Sequence, residues 1–252
     1  GQPARGDGYA YPIVLGCELV TDICLFRLKL TGGARVKPGS TTARIALTSA
    51  AEALAAAARE ALQLDAGELA AEHRPAMTPG GADGEEVEIY LYDAVPGGAG
   101  YARAAAQLTG DNLLQRALKL VQTKETPEGP GCDCETSCYK CLRSYQNRFL
   151  HASLDRHLAA DLLRCALGEQ APTVSEARAR PHLEAMRSWL TDEGVQAEVV
   201  GDTLHVGARR IVLTHPLLPD AAPPGVEGLS LLLAQRALGE ACDRLTQGPL
   251  DE

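Results

Sequence analysis

The chain has little that would mark it as a membrane protein, a motor or a hydrolase. No apolar run approaches the roughly 18 residues that cross a bilayer, and the opening GQPARGDGYAYP lacks the basic-then-apolar order of a signal peptide. No membrane association and a cytoplasmic setting are expected. There is no G-x4-G-K-[ST] phosphate loop and no Gly-Lys pair of any kind, so any ATP hydrolysis is expected of another segment or subunit. HExxH and GxSxG are absent too. Aromatic residues make up only 4% of the chain, and positive charge is in deficit, with 24 Lys and Arg against 33 Asp and Glu for a net charge of −9. Nucleic-acid binding over the whole surface is thereby disfavoured. Eight cysteines in 252 residues are far too few for a disulfide scaffold. The chain begins without Met, which fits a fragment or a processed piece of something longer.

What is present is concentrated in one place. Four of the cysteines, Cys132, Cys134, Cys138 and Cys141, fall in a C-x-C-x3-C-x2-C pattern. In a reducing compartment such clustering favours a metal over disulfides. Zn²⁺ is the default occupant, since four thiolates close its tetrahedral shell and leave no position for a substrate water. An iron–sulfur cluster and disulfides are the alternatives that the spacing leaves open. A catalytic zinc would need an open fourth position, with His151 as the nearest spare donor.

The expected fold is α/β: a central sheet flanked by helices with a four-cysteine zinc loop, followed by a small C-terminal α/β unit, divided as residues 1–170 and 171–252. Period-two alternation through Cys24, Phe26, Leu28 and Leu30 predicts a first strand. Cys17, Cys24 and Cys165 read as small core hydrophobes. The alanine-rich stretch 49–71 predicts a helix and 73–86 a surface loop. A strand over 87–93 runs through Val95-Pro96-Gly97-Gly98-Ala99-Gly100 into a helix over 102–108. That turn points backbone N–H groups above the helix start, so a phosphate site and a plain tight turn both fit, and Asp93 reads as a functional carboxylate or as a cap. Asp111 is expected to cap a further helix, and Asp155, Arg156 and His157 to open another carrying Leu158 and Leu162. Residues 168–174 read as a linker. Beyond it come a helix that Pro181 begins or kinks, strands over 195–200, 203–206 and 209–214 with Gly201-Asp202 as a hairpin turn, and a last helix over 227–245.

Basic character gathers beside the cysteines. From Cys138 to Arg164 the cations Lys140, Arg143, Arg148, Arg156 and Arg164 face only Asp155 and Asp161, a local excess of +3. Arg143, Arg148 and Arg156 suit phosphates, and Tyr139, Tyr145 and Phe149 suit stacking on unpaired bases. The competing expectation is that Asp155 and Arg156 pair internally and the aromatics fill the core. A further alternative is a phosphodiesterase site from Asp93, His151, Asp155 and Arg156.

Taken together, Thr21-Asp22, the YDAVPGGAGYA run, CDC-x3-C-x2-CLRSYQN and HASLDR resemble the zinc-binding domain at the C-terminus of MrfA-type superfamily-2 DNA helicases, over roughly residues 10–167. The domain is similar to that of DrmB-like subunits of the DISARM phage-defence systems. The resemblance implies zinc on Cys132, Cys134, Cys138 and Cys141. It marks Asp93, Pro96, Gly97, Gly98 and Gly100 in the turn, and Arg143, Asn147, His151, Asp155 and Arg156 after the cysteines. The function it implies is a non-catalytic accessory module of a helicase core, in cis or as a separate subunit. That module would support engagement of single-stranded or forked DNA in repair or defence, through Lys140, Arg143, Tyr145, Asn147, Arg148, His151 and Arg156. A pure assembly module without DNA contact is the alternative that the acidic net charge favours.

Overall fold

Alternation in ICLFRLK produces strand β1 (Ile23–Lys29), whose Cys24 and Leu28 point into the core while Ile23, Leu25, Arg27 and Lys29 face out. In the computed structural model, which describes residues 18, 20–37, 39–75, 84–108, 110–169, 172–218 and 220–246, this strand lies at one edge of a three-stranded antiparallel sheet. Its centre is β3 (Glu86–Asp93), paired so that Cys24 faces Leu91 and Leu28 faces Val87. The other edge is β2 (Leu69–Pro75).

Helix α1 (Thr41–Leu62) begins eight residues before the predicted start, because Ser40 caps it by accepting from the Ala43 N–H at 3.0 Å. It stops at Gln63, which adopts the left-handed conformation at φ 55° and closes the last turn onto Arg59 and Glu60. The chain from Leu69 then forms β2, where a helix end and a loop were expected. Pairing with β3 outweighs the helical preference of Ala70 and Ala71. The small side chains of α1 let it pack closely against β2 and β3 and against α3 (Gly110–Val121) and α4 (Arg156–Ala166). A short helix α2 (Tyr101–Gln107) follows the glycine turn. Since α3 starts at Gly110, Asp111 lies inside its first turn and not before it; the side chain of Asp111, like Cys17, falls outside the described residues. Cys24 and Cys165 are buried in the core, as expected of them.

Beyond α4, helix α5 (Glu176–Asp192) is capped by Ser175 and carries Pro181 inside it. Strands β4 (Ala197–Val200), β5 (Thr203–Val206) and β6 (Arg209–Thr214) form an antiparallel meander whose first turn places Gly201 at φ 63°. The expected single helix over 227–245 is instead strand β7 (Glu227–Ser230), parallel to β6, then α6 (Leu231–Arg236) and α7 (Leu238–Thr246), separated at Ala237. Leu183, Met186, Leu190, Leu204, Ile211 and Cys242 form an apolar cluster distinct from the one around α1.

The C-terminal segment, whose Leu217 and Leu232 pack into the cluster around α1, is also tied to it by polar contacts that the sequence did not announce. Buried His215 Nε2 lies 2.8 Å from Asp161 of α4, and the Arg35 N–H donates to the Leu217 carbonyl at 2.8 Å. Arg236 of α6 donates to the Ala152 carbonyl at 2.6 Å and the Leu154 carbonyl at 3.2 Å, and lies 3.4 Å from the Asp155 carboxylate.

Candidate metal centre and the segment around it

The cysteine loop leaves α3 through Gln122 and returns at Cys132, whose N–H donates to the Gln122 carbonyl at 2.9 Å. That closure needs Gly131: its φ is 117°, and a Cβ there would stand 2.4 Å from the Gln122 oxygen. A turn after Cys138, in which its carbonyl accepts from the N–H groups of Cys141, Leu142 and Arg143, folds the second cysteine pair onto the first.

The four sulfurs converge. Cys132 Sγ is 3.4 Å from both Cys134 Sγ and Cys138 Sγ, Cys141 Sγ is 3.7 Å from Cys134 Sγ and 3.9 Å from Cys138 Sγ, and all four lie within 4.8 Å of one another. A tetrahedron with bonds of about 2.3 Å has edges of about 3.8 Å, so the set matches the shell of one zinc ion. All four are free thiols. The Cys138 N–H donates to Cys141 Sγ at 3.2 Å and the Lys140 N–H to Cys138 Sγ at 3.4 Å, bonds that steady thiolate charge. Burial pushes Cys141 up to about 11 and raises Cys134 as well, where a hydrogen bond with Cys132 adds to it. Burial also opposes ionisation of Cys138, yet the Lys140 N–H and the neighbouring thiols outweigh it and draw that group down to about 7. A divalent cation is what lets all four ionise together.

After Cys141 the chain forms an irregular turn and a 3-10 helix (Arg148–Ser153) held by Asn147. This buried amide donates to the Glu52 carboxylate at 2.9 Å and the Leu142 carbonyl at 2.8 Å, while its oxygen accepts from the Ser144 N–H at 2.8 Å. His151 Nε2 is 3.0 Å from both the Asn147 oxygen and the Ser144 carbonyl. Both are acceptors, so Nε2 carries the proton and is spent on structure. Glu52 of α1 receives this network; burial raises its pKa against the opposing bond from Asn147.

The candidate nucleic-acid residues divide into two groups. Lys140, Tyr145 and Arg148 are exposed, and Arg143 is half-buried with its Nε donating to the Ser137 hydroxyl at 2.9 Å. The Arg148 guanidinium lies 4.5 Å from the Tyr145 ring centre and 4.4 Å from that of Phe149. Both rings stay open to solvent, Tyr145 at 72% and Phe149 at 83%, as does Tyr139 at 71%, which meets the His151 ring edge-on. Asn147 and Arg156 are buried, and half-buried His151 is bonded to Asn147 and Ser144. Arg156 is only 3% exposed, and donates through Nε to the Cys134 carbonyl at 2.6 Å and through Nη1 to the Val121 carbonyl and the Thr123 hydroxyl, each at 3.2 Å. Its guanidinium thus straps the cysteine loop to the end of α3 and is not presented to a phosphate. Asp155 caps α4, accepting from the His157 and Leu158 N–H groups at 3.0 and 3.1 Å.

The glycine turn has an internal ligand of its own. The buried Asp93 carboxylate accepts from the N–H groups of Ala99 (2.5 Å), Gly100 (2.6 Å), Tyr101 (3.1 Å) and Ala102 (2.6 Å). Burial alone would raise the Asp93 pKa, but these four donors outweigh it and hold the carboxyl below the ordinary range. Gly97, Gly98 and Gly100 all take positive φ, between 75° and 88°, and a Cβ on Gly98 would press on the Asp22 backbone at 3.3 Å. The amides that were candidates for a phosphate are therefore already bonded to Asp93. The four residues of the phosphodiesterase alternative, Asp93, His151, Asp155 and Arg156, are each engaged in these internal bonds.

Some residues that organise the site have no short-range signal. Glu52 lies 95 positions from the Asn147 it anchors. Glu88, wholly buried, is gripped by Arg27 at 2.7 Å and Arg74 at 2.6 Å from the two strands flanking β3. Only the strand register, once known, places these three in line: Arg27 and Arg74 both face Glu88.

Residues 50–142 match the family model described as the MrfA Zn-binding domain. Over 198 residues the chain is 33% identical to the Druantia protein DruE of Escherichia coli (strain UMEA 4076-1), an alignment covering 75% of this chain and 10% of that relative. The chain thus corresponds to about a tenth of the length of the relative it matches. No solved structure matches it.

Proposed function

From the match of residues 50–142 to the MrfA Zn-binding domain model, we propose that the chain belongs to that family and is a zinc-braced accessory module of a superfamily-2 DNA helicase, in cis or as a partner subunit. Zinc is held by Cys132, Cys134, Cys138 and Cys141 in a closed shell, where it supplies structural and not catalytic chemistry. We divide the chain into a zinc-binding unit, residues 1–170, and a smaller α/β unit, 171–252, a division supported by their separate sheets; Leu217 and Leu232 of the second unit nevertheless pack into the apolar cluster of the first. The motor is expected outside this chain. The setting proposed is DNA repair or phage defence, as the family resemblance implies. Among the described residues no helix is long and apolar enough to cross a membrane.

The observation that carries the reading is that three widely exposed aromatic rings and three cations sit on the segment that the cysteines pin. From Cys138 to Leu154 there are Lys140, Arg143 and Arg148 and no carboxylate, on a chain with a net charge of −9. Cations without anions suit a polyanion, and open rings suit unpaired bases, so the module engages a single DNA strand there. Lys140, Arg143 and Arg148 meet phosphates; Tyr139, Tyr145 and Phe149 stack.

Fluorescence anisotropy with a labelled single-stranded oligonucleotide tests this. Three phosphate contacts give a slope of log K against log salt near −2, or roughly 20-fold weaker binding from about 50 to about 200 mM salt. Tyr145→Ala and Phe149→Ala are each expected to cost about 1–3 kcal/mol of binding. No binding at low salt contradicts the proposal and favours the second reading, an assembly module without DNA contact, which the acidic net charge supports.

A further inference from the structure

Arg156 poses an electrostatic problem that its neighbours do not solve. It is the first residue of α4, it is 3% exposed, and its hydrogen-bond partners are all neutral: the carbonyls of Cys134 and Val121 and the hydroxyl of Thr123. Among the described residues no carboxylate comes within 4 Å of its guanidinium, whereas the adjacent Asp155 is committed to the α4 N–H groups and to Arg236. A buried cation without a counter-charge is expensive, and a helix N-terminus is an unfavourable place for one. The sequence keeps it there all the same.

The metal centre supplies the missing charge. Four thiolates around one Zn²⁺ carry a net charge of −2, and the backbone carbonyl that Arg156 Nε grips at 2.6 Å belongs to one of those cysteines, Cys134. The other basic side chains of the loop, Lys140 and Arg143, are exposed or half-exposed and so are well screened. Resting on the metal assignment above, we infer that Arg156 is the buried counter-cation of the zinc–thiolate centre, so that its charge tunes zinc affinity while its hydrogen bonds position the loop. The dependence runs both ways. Zinc neutralises the cost of burying Arg156, and Arg156 offsets the surplus negative charge that zinc leaves on the sulfurs. The Arg156 N–H also donates to the Thr136 carbonyl at 2.7 Å, so the charge pairing acts on a loop already tied to α4.

Competition against a chromophoric zinc chelator measures the effect directly. Arg156→Met, similar in length and uncharged, is expected to weaken zinc binding by about 10- to 100-fold. Arg156→Lys keeps the charge, loses the fork, and is expected to stay within about threefold of the parent protein. A purely mechanical strap predicts the reverse, with Lys losing as much affinity as Met, and that result overturns the inference. Should Arg156→Met fail to fold, the Lys variant decides alone, because tenfold or greater loss with the charge retained contradicts charge pairing. Thermal midpoints give an independent reading. Arg156→Met should lower the midpoint of the zinc-loaded protein more than that of the stripped protein, where the cation has no counter-charge and only the hydrogen bonds are lost; equal losses in both refute the coupling. A parent protein that binds no zinc removes the metal assignment itself, a different outcome from variants that bind zinc as tightly as the parent.

Discussion

Replacing Gly131 by Ala isolates the step at which the chain enters the metal loop. Two costs add. The residue sits at φ 117°, where an L side chain is strained by about 1–2 kcal/mol. The new Cβ would also stand 2.4 Å from the Gln122 oxygen, the acceptor of the Cys132 N–H, so either that 2.9 Å hydrogen bond stretches or Cys132 moves. Losing a buried backbone bond costs about another 1–2 kcal/mol, for a total near 3 kcal/mol. In a domain of this size that lowers Tm by roughly 6–12 °C. Gly168→Ala is the control, since Gly168 has φ 82° with nothing within 4 Å of its would-be Cβ, and only the backbone strain applies. Differential scanning fluorimetry of both variants, loaded with zinc, is the assay. Gly131→Ala should fall several degrees below Gly168→Ala and release zinc faster to a chelator. Equal losses in the two variants refute the reasoning that Gly131 is needed to seat Cys132.

Other perturbations probe separate parts of the account. Asp93→Ala leaves four N–H groups at the start of α2 without their acceptor and is expected to cost about 3 kcal/mol in urea unfolding. Because the folded Asp93 pKa is depressed, its contribution is fully present above the unfolded value of about 3.9 and is lost as pH falls through the folded value; the gap between parent and Asp93→Ala should therefore close below about pH 4. Zinc retention should also fall on acidification, since protons compete for the four thiolates, and a chelator titration should detect proton release when zinc binds at neutral pH.

The parts of the fold legible from the sequence were those set by local chemistry. Alternation located β1, the Gly201 turn located the β4–β5 hairpin, and Asp155 announced α4 through a cap that needs only the next few residues. Strand β2 escaped because Ala70 and Ala71 are good helix formers, and their strand state comes from β3, about twenty positions later. β7 escaped for the same reason: Glu227–Ser230 pairs in parallel with β6, which no local pattern reveals. The zinc motif was legible because its spacing is its chemistry. Arg156 and Arg148 were not separable, since a guanidinium strapping backbone carbonyls and one lying on exposed rings have the same sequence signature. Asn147 and His151 similarly turned inward, toward a Glu52 that only the folded helix brings near.

The central claim is that one zinc ion sits in the shell of Cys132, Cys134, Cys138 and Cys141 and holds the exposed basic, aromatic segment in place. Metal analysis of the purified protein by inductively coupled plasma mass spectrometry tests it most directly. One zinc per chain, lost in Cys138→Ser together with order in the segment that follows, is the predicted result. A protein that carries iron with visible absorbance, or one that is fully folded and metal-free, contradicts it.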